Sequence, residues 1–213
     1  MTRRFREPVS GLLHLSGAVL AVAGLWWLIS RTTGDLPRLL SVAVYGVSLV
    51  LLYTASAVMH LYNGPRHNID RLNRLDHAAI YVLTAGTYTP ICVNVLQNGL
   101  GYVLLAAVWV LAAIGAAYKI VVGPGRRSST RSTLFYVAMG WLAVVAVPQL
   151  LRALPLPAIA LIAAGGLAYS VGAVVYFFDD PDVRSTFGLH ELWHVFVLVG
   201  SSLHFAAIIV YIT

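Results

Sequence analysis

Charge is what this chain has least of. Only 10% of its 213 residues are charged, against about 25% in soluble domains. Hydrophobic residues make up 59%, and the mean hydropathy is +0.81. So little polar surface excludes a water-soluble globular domain and makes the chain an integral membrane protein. The formal net charge of +6 is then no sign of nucleic acid as a partner, because Lys and Arg in membrane proteins collect in cytoplasmic loops. Cysteine is nearly absent as well. A lone Cys92 excludes an intrachain disulfide and a cysteine-rich metal site, and its place in an apolar run marks it as packing. Long polar segments and internal repeats are also missing, so residues 1–213 read as a single transmembrane domain.

What is present is a series of apolar runs. A membrane-crossing helix needs about 20 mostly apolar residues. Seven stretches qualify, roughly 9–30, 37–61, 75–96, 100–122, 133–151, 156–178 and 189–212. The expected fold class is all-α, an integral membrane seven-transmembrane-helix bundle. Arg3, Arg4 and Arg6 precede the first run, as they would in a signal peptide. The run from Leu12 to Ile29 is long for a signal core, however, and no small-residue cleavage site follows it, so it reads as a retained span.

Counting basic residues by side sets the orientation. With the N-terminus cytoplasmic, that side holds Arg3, Arg4, Arg6, Arg66, Arg71, Arg74, Lys119, Arg126, Arg127, Arg131 and Arg184. Only Arg31, Arg38 and Arg152 fall outside. Such a bias places the N-terminus in the cytoplasm and the C-terminus outside. The chain is expected in the cell (plasma or inner) membrane as a multi-pass protein with the lipid bilayer as its surroundings.

Histidine carries the chemistry. His190 and His194 sit four residues apart at the start of the last run, which on a helix puts both rings on one face, ~6 Å apart along the axis. Such a pair can chelate a transition metal but needs a third ligand. In the expected topology the second run ends with His60 at the same cytoplasmic depth, and the third begins there with Asp76. His60, His190 and His194 would form a three-histidine zinc site with an open fourth position, the pattern of a catalytic zinc. Water on such a metal becomes a nucleophile near neutral pH. Asp76 is suited to take its proton, and Ser56, one turn before His60, can donate to that water or to a developing oxyanion.

Taken together, Ser56-x-x-x-His60, Asp76 and His190-x-x-x-His194 resemble the signature of the hemolysin III family. That family belongs with the progestin and adipoQ receptors and is distantly related to the alkaline ceramidases. The flanking residues agree, from Asp76 to Tyr81, from Ala85 to Pro90 and from Phe187 to His194, and the resemblance spans nearly the whole chain. It implies seven spans, zinc on the three histidines, Asp76 near the bound water and Ser56 just behind. Two departures stand out. Serine (Ser10) follows Glu7 where the family has asparagine, and Met59 replaces an aromatic residue, which reads as a packing change.

The resemblance implies a zinc-dependent hydrolase of a lipid amide or ester, with a membrane lipid as substrate. One alternative is a pore-forming cytolytic channel, although no run shows the repeated polar face of a water-filled conduit. Another is a receptor or scaffold with a structural zinc. His190-Glu191-Leu192-Trp193-His194 also fits the H-E-x-x-H zinc-protease pattern, with Glu191 as base; Glu191 as a partner of the helix-start dipole is the simpler reading.

The remaining residues take plain structural readings. Asp76 itself has a bland alternative, as a cap of the third helix or a partner of Arg74. His14, His77 and His204 read as core imidazoles and His67 as a connector residue. Asp179, Asp180 and Asp182 read as a solvated turn. Gly17, Gly24, Gly46, Gly86, Gly115, Gly140, Gly165, Gly166 and Gly172 read as close helix contacts.

Overall fold

The structure is a computed structural model. It describes residues 5–179 and 187–213, and the backbone alone for residues 126–129. Arg3, Arg4, Asp180, Asp182 and Arg184, with the side chains of Arg126 and Arg127, lie outside the described residues. The elements are α1 (Pro8–Arg31), α2 (Leu36–Leu61), α3 (Arg66–Asn94), α4 (Gly99–Val122), α5 (Arg126–Trp141), a 3-10 turn (Leu142–Ala146), α6 (Val147–Ala153), α7 (Leu156–Phe177) and α8 (Leu189–Tyr211). Because α5, the turn and α6 run on as one, the described residues form an all-α fold with seven helical segments. Six are long and apolar enough to cross a membrane: α1, α2, α4, the segment Thr130–Ala153, α7 and α8. The protein is a multi-pass membrane protein.

Local chemistry sets the helix ends. Pro8, Pro37 and Pro157 stand in the first two positions of α1, α2 and α7, where the missing N–H costs nothing. Asp35 and Asn98 cap α2 and α4, their side chains accepting from the backbone N–H of Arg38 and of Gly101, each at 3.0 Å.

The exception among the seven is α3. It begins at Arg66, so the polar stretch expected as a connector up to Arg74 is helical. Arg66 and Asp70 pair one turn apart at 3.8 Å on this part. Polar residues are tolerated along α3 because α2, α4, α5 and α8 pack around it, and a helix shielded from lipid needs no apolar exterior. Two sequence readings change as a result. Asp76 lies ten residues into α3, too far in to cap it. Arg74 binds the carbonyls of Ile120 and Val121 at the end of α4 and not Asp76. His77 Nδ1 donates to the Asn73 carbonyl at 3.0 Å and also lies 3.5 Å from Asp76 Oδ2.

The fifth segment, expected as one continuous span, breaks at Leu142–Ala146. Pro148 has no N–H, and its ring crowds the carbonyl of residue 144, so the α-helix cannot run through. Tyr88 on α3 compensates. Its hydroxyl donates to the carbonyl of Gly140 at 2.6 Å and accepts from the N–H of Ala143 at 2.8 Å.

Packing is uneven. Long pairings join α1 to α2, α2 to α3, α3 to α4 and α7 to α8, and α1 meets α8, whereas α5 touches α3, α4 and α7 more thinly. Most of the glycines read as close contacts are just that: a Cβ at Gly86 would strike Ser48, and one at Gly115 the Tyr81 ring. Gly140 and Gly166 are corrections, since each faces open space.

Candidate metal centre

His60 comes from the last turn of α2, and His190 and His194 from the first two turns of α8. Their ligand atoms all lie within 4.8 Å of one another. Ring centroids are 5.2 Å apart for His60 and His190, 4.7 Å for His60 and His194, and 4.8 Å for His190 and His194. All three Nε2 atoms are buried without a hydrogen-bond partner among the described residues. One such orphan costs about 1–3 kcal/mol, a cost that one ligand shared by all three acceptors would remove. Three imidazole nitrogens suit a divalent transition metal, and the cluster could coordinate one.

The opposite nitrogen of each ring is held. With Nε2 turned to the cluster, Nδ1 carries the hydrogen, and in each ring it has an acceptor. His60 Nδ1 donates to Glu7 Oε2 at 2.5 Å, His190 Nδ1 to Asp179 Oδ2 at 3.1 Å, and His194 Nδ1 to His14 Nε2 at 2.8 Å. Such partners fix the tautomer and ring orientation of metal-binding histidines and raise their basicity. Burial pushes the Glu7 carboxyl up, but the hydrogen bond from His60 and the charge of Arg6 act the other way, and the group lies below the usual carboxylate range.

None of these three holders was assigned a role from the sequence. His14 is indeed a core imidazole bonded to a neighbouring helix, but its neighbour is a site histidine. Asp179, read as part of a solvated turn, is the partner of His190.

The segment ahead of α1 is strapped to the same place. The Glu7 N–H donates to the His60 carbonyl at 3.0 Å. Arg6 Nη2 donates to Glu7 Oε2 at 3.1 Å and to Met59 Sδ at 2.9 Å, so Met59 is an acceptor as well as packing. Ser10 Oγ donates to Glu191 Oε1 at 2.9 Å, and the Gly188 N–H donates to Glu191 Oε2 at 2.8 Å. Both oxygens of Glu191 are thus spent on capping α8 and joining it to α1, as the helix-start reading expects. That occupancy argues against the protease reading.

Asp76 and Ser56 are buried, and both line the cavity that the three histidines border. Ser56 Oγ has no hydrogen-bond partner among the described residues. Asp76 Oδ2 lies 3.5 Å from His77 Nδ1, and Lys119 of α4 is fully buried. The cavity is about 2170 Å³ and runs far beyond the histidines. Its walls are α3, α5 with the 3-10 turn, α6, α7 and α8, and it extends past Leu104, Leu150 and Ile159. Gly140 and Gly166 line it, which explains the open space beside them.

A family model described as "Haemolysin-III related" matches residues 2–205. The chain belongs to the haemolysin-III family. It is 38% identical to hemolysin-3 of Bacillus cereus over 216 residues, covering 100% of this chain and 94% of that relative. It is 36% identical to the hemolysin-3 homolog of Bacillus subtilis (strain 168), over 96% of this chain and 93% of the relative. A more distant likeness, 26% over 186 residues, joins it to the human monocyte to macrophage differentiation factor, over 85% of this chain and 74% of the relative. The haemolysin-III match takes in every residue of the histidine cluster and its three holders.

Proposed function

We propose that this haemolysin-III protein is a zinc-dependent hydrolase of a lipid amide or ester, working as one seven-span domain with its N-terminus cytoplasmic. The observation that carries the proposal is the convergence of three orphaned Nε2 atoms on the wall of a large, mostly apolar cavity. A merely structural cross-link needs no chamber beside it. The orientation rests on the excess of Lys and Arg at the histidine end.

Zinc held by His60, His190 and His194 would supply a Lewis acid that polarises a carbonyl and lowers the pKa of water. The protein's own groups do the rest. Asp76 accepts the proton of the attacking water and passes it to the leaving group. The free hydroxyl of Ser56 donates to the developing oxyanion. Glu7, Asp179 and His14 keep the three imidazoles aimed. The acyl chain lies along the apolar walls, where Ile80, Leu83, Ile159 and Ile162 keep water out.

Exposed Trp141 and Val144 also line the cavity, so it reaches the lipid-facing surface beside α5. A lipid can therefore enter sideways from the bilayer. Trp141 Nε1 donates to Ser170 Oγ at 3.1 Å and bridges α5 to α7 at that opening.

The test joins elemental analysis to turnover. Purified wild type should hold about one zinc per chain, and His60→Ala, His190→Ala and His194→Ala should each lose it. Zinc-loaded wild type should cleave a member of a panel of lipid amides and esters. Metal bound without any turnover would sink the hydrolase reading and favour a structural zinc in a receptor or scaffold.

A further inference from the structure

His204 lies on α8 ten residues beyond His194, a distance of ~15 Å along the helix. It is buried and lines the same cavity. Its Nδ1 donates to the Gly200 carbonyl at 2.8 Å, so in the neutral ring Nε2 is left as an acceptor. The imidazole is held rigidly. It stacks on Tyr169 with centroids 5.5 Å apart and planes 17° from parallel. A Cβ at Gly165 would collide with the ring at Cε1 and Nδ1. The Tyr169 hydroxyl is itself committed to Ser201 Oγ at 2.7 Å, and Ser201 also receives the Tyr53 hydroxyl at 2.7 Å. The wall of the cavity that His204 lines is mostly apolar, with Ile159, Ile162, Leu104 and Leu150 among its residues.

An acceptor fixed in an apolar chamber discriminates strongly. It rewards a ligand that brings a donor and penalises one that covers it with methylenes. We infer that His204 is the heart of a second subsite, which takes a hydroxyl partway along the lipid chain, so that the preferred ligand is a hydroxylated acyl chain with its carbonyl end at the histidine cluster. This inference rests on the lipid-chamber reading above and adds a specificity to it. Gly165 is the residue that keeps the reader in place, and Tyr169 holds it flat.

The experiment compares two fatty acids on full-length protein in lipid nanodiscs. One is octadecanoic acid, and the other is the same acid with a hydroxyl on its twelfth carbon. Each is measured by displacement of a fluorescent fatty acid. Wild type should bind the hydroxylated acid about five- to tenfold more tightly, the scale of one net hydrogen bond. His204→Leu should erase that preference while retaining the plain acid and the zinc content. Gly165→Ala, which displaces the ring, should erase it too and guards against a folding defect in the first variant. Equal affinities in wild type, or a preference that survives both substitutions, would overturn the subsite while leaving the acyl chamber intact. If neither acid binds, the chamber and the subsite fall together. Binding with the expected preference but no turnover would leave the subsite standing and count against the hydrolase alone.

Discussion

The two halves of the bundle are built to opposite standards. On one side α1 to α4 and the start of α8 pack closely, with Gly86 and Gly115 admitting their neighbours at short range. The Nδ1 atom of each of the three histidines is tied there, twice across more than fifty residues of sequence, by Glu7 to His60 and by His14 to His194. On the other side α5 and the broken helix after it are thinly packed, and the gap they leave is the cavity. Rigidity is concentrated where ligand atoms must converge. Looseness is concentrated where a flexible chain must fit. The same division would be expected of an enzyme that needs tight first contacts and a tolerant pocket.

Substitutions can break this division from either side. The largest effect is expected from Asp76→Asn, which removes the base and keeps the shape. Turnover should fall about 10²- to 10⁴-fold while zinc content stays near one per chain. A loss of zinc along with activity would show instead that Asp76 works by holding the site together. Next come the holders on the tight side. Glu7→Gln and Asp179→Asn should each lower zinc affinity about 10- to 100-fold, read by competition with a chromophoric chelator. Unchanged affinity would mean that the imidazoles aim themselves. The smallest effect belongs to the loose side. Gly166→Leu fills open cavity space, so fatty-acid affinity should drop by roughly tenfold or less, about 1 kcal/mol, with zinc affinity unaltered. If zinc were lost as well, the two halves would not be independent.

The histidine cluster was readable in the sequence for a physical reason. Four-residue spacing puts His190 and His194 on one helix face, and the alternation of spans brings His60 and Asp76 to the same end. Of the holders only Glu7 was marked, as the acidic residue of the family's N-terminal motif, and with no role attached. His14 and His194 are 180 residues apart and Ser10 and Glu191 181, and no local pattern predicts which imidazole or carboxylate will meet which. His14 looked like any core histidine, and Asp179 like any acid in a turn. The early start of α3 was hidden because hydropathy measures exposure to lipid, and α3 has little. The break near Pro148 was legible in principle. What could not be seen was Tyr88, whose one hydroxyl serves both sides of it.

The way α1 is fastened to α8 bears on how the protein is made. The ligands and their holders are drawn from residue 7 through residue 194, so a chain growing from the ribosome has no complete centre until its last helix enters the membrane. At about 5–20 residues per second, His60 waits on the order of ten seconds or more for His194. During that interval the first four helices can pack, but they have nothing to grip a metal with. Any metal that requires all three histidines is then captured only at the close of biogenesis, a seal that distinguishes finished molecules from partial ones.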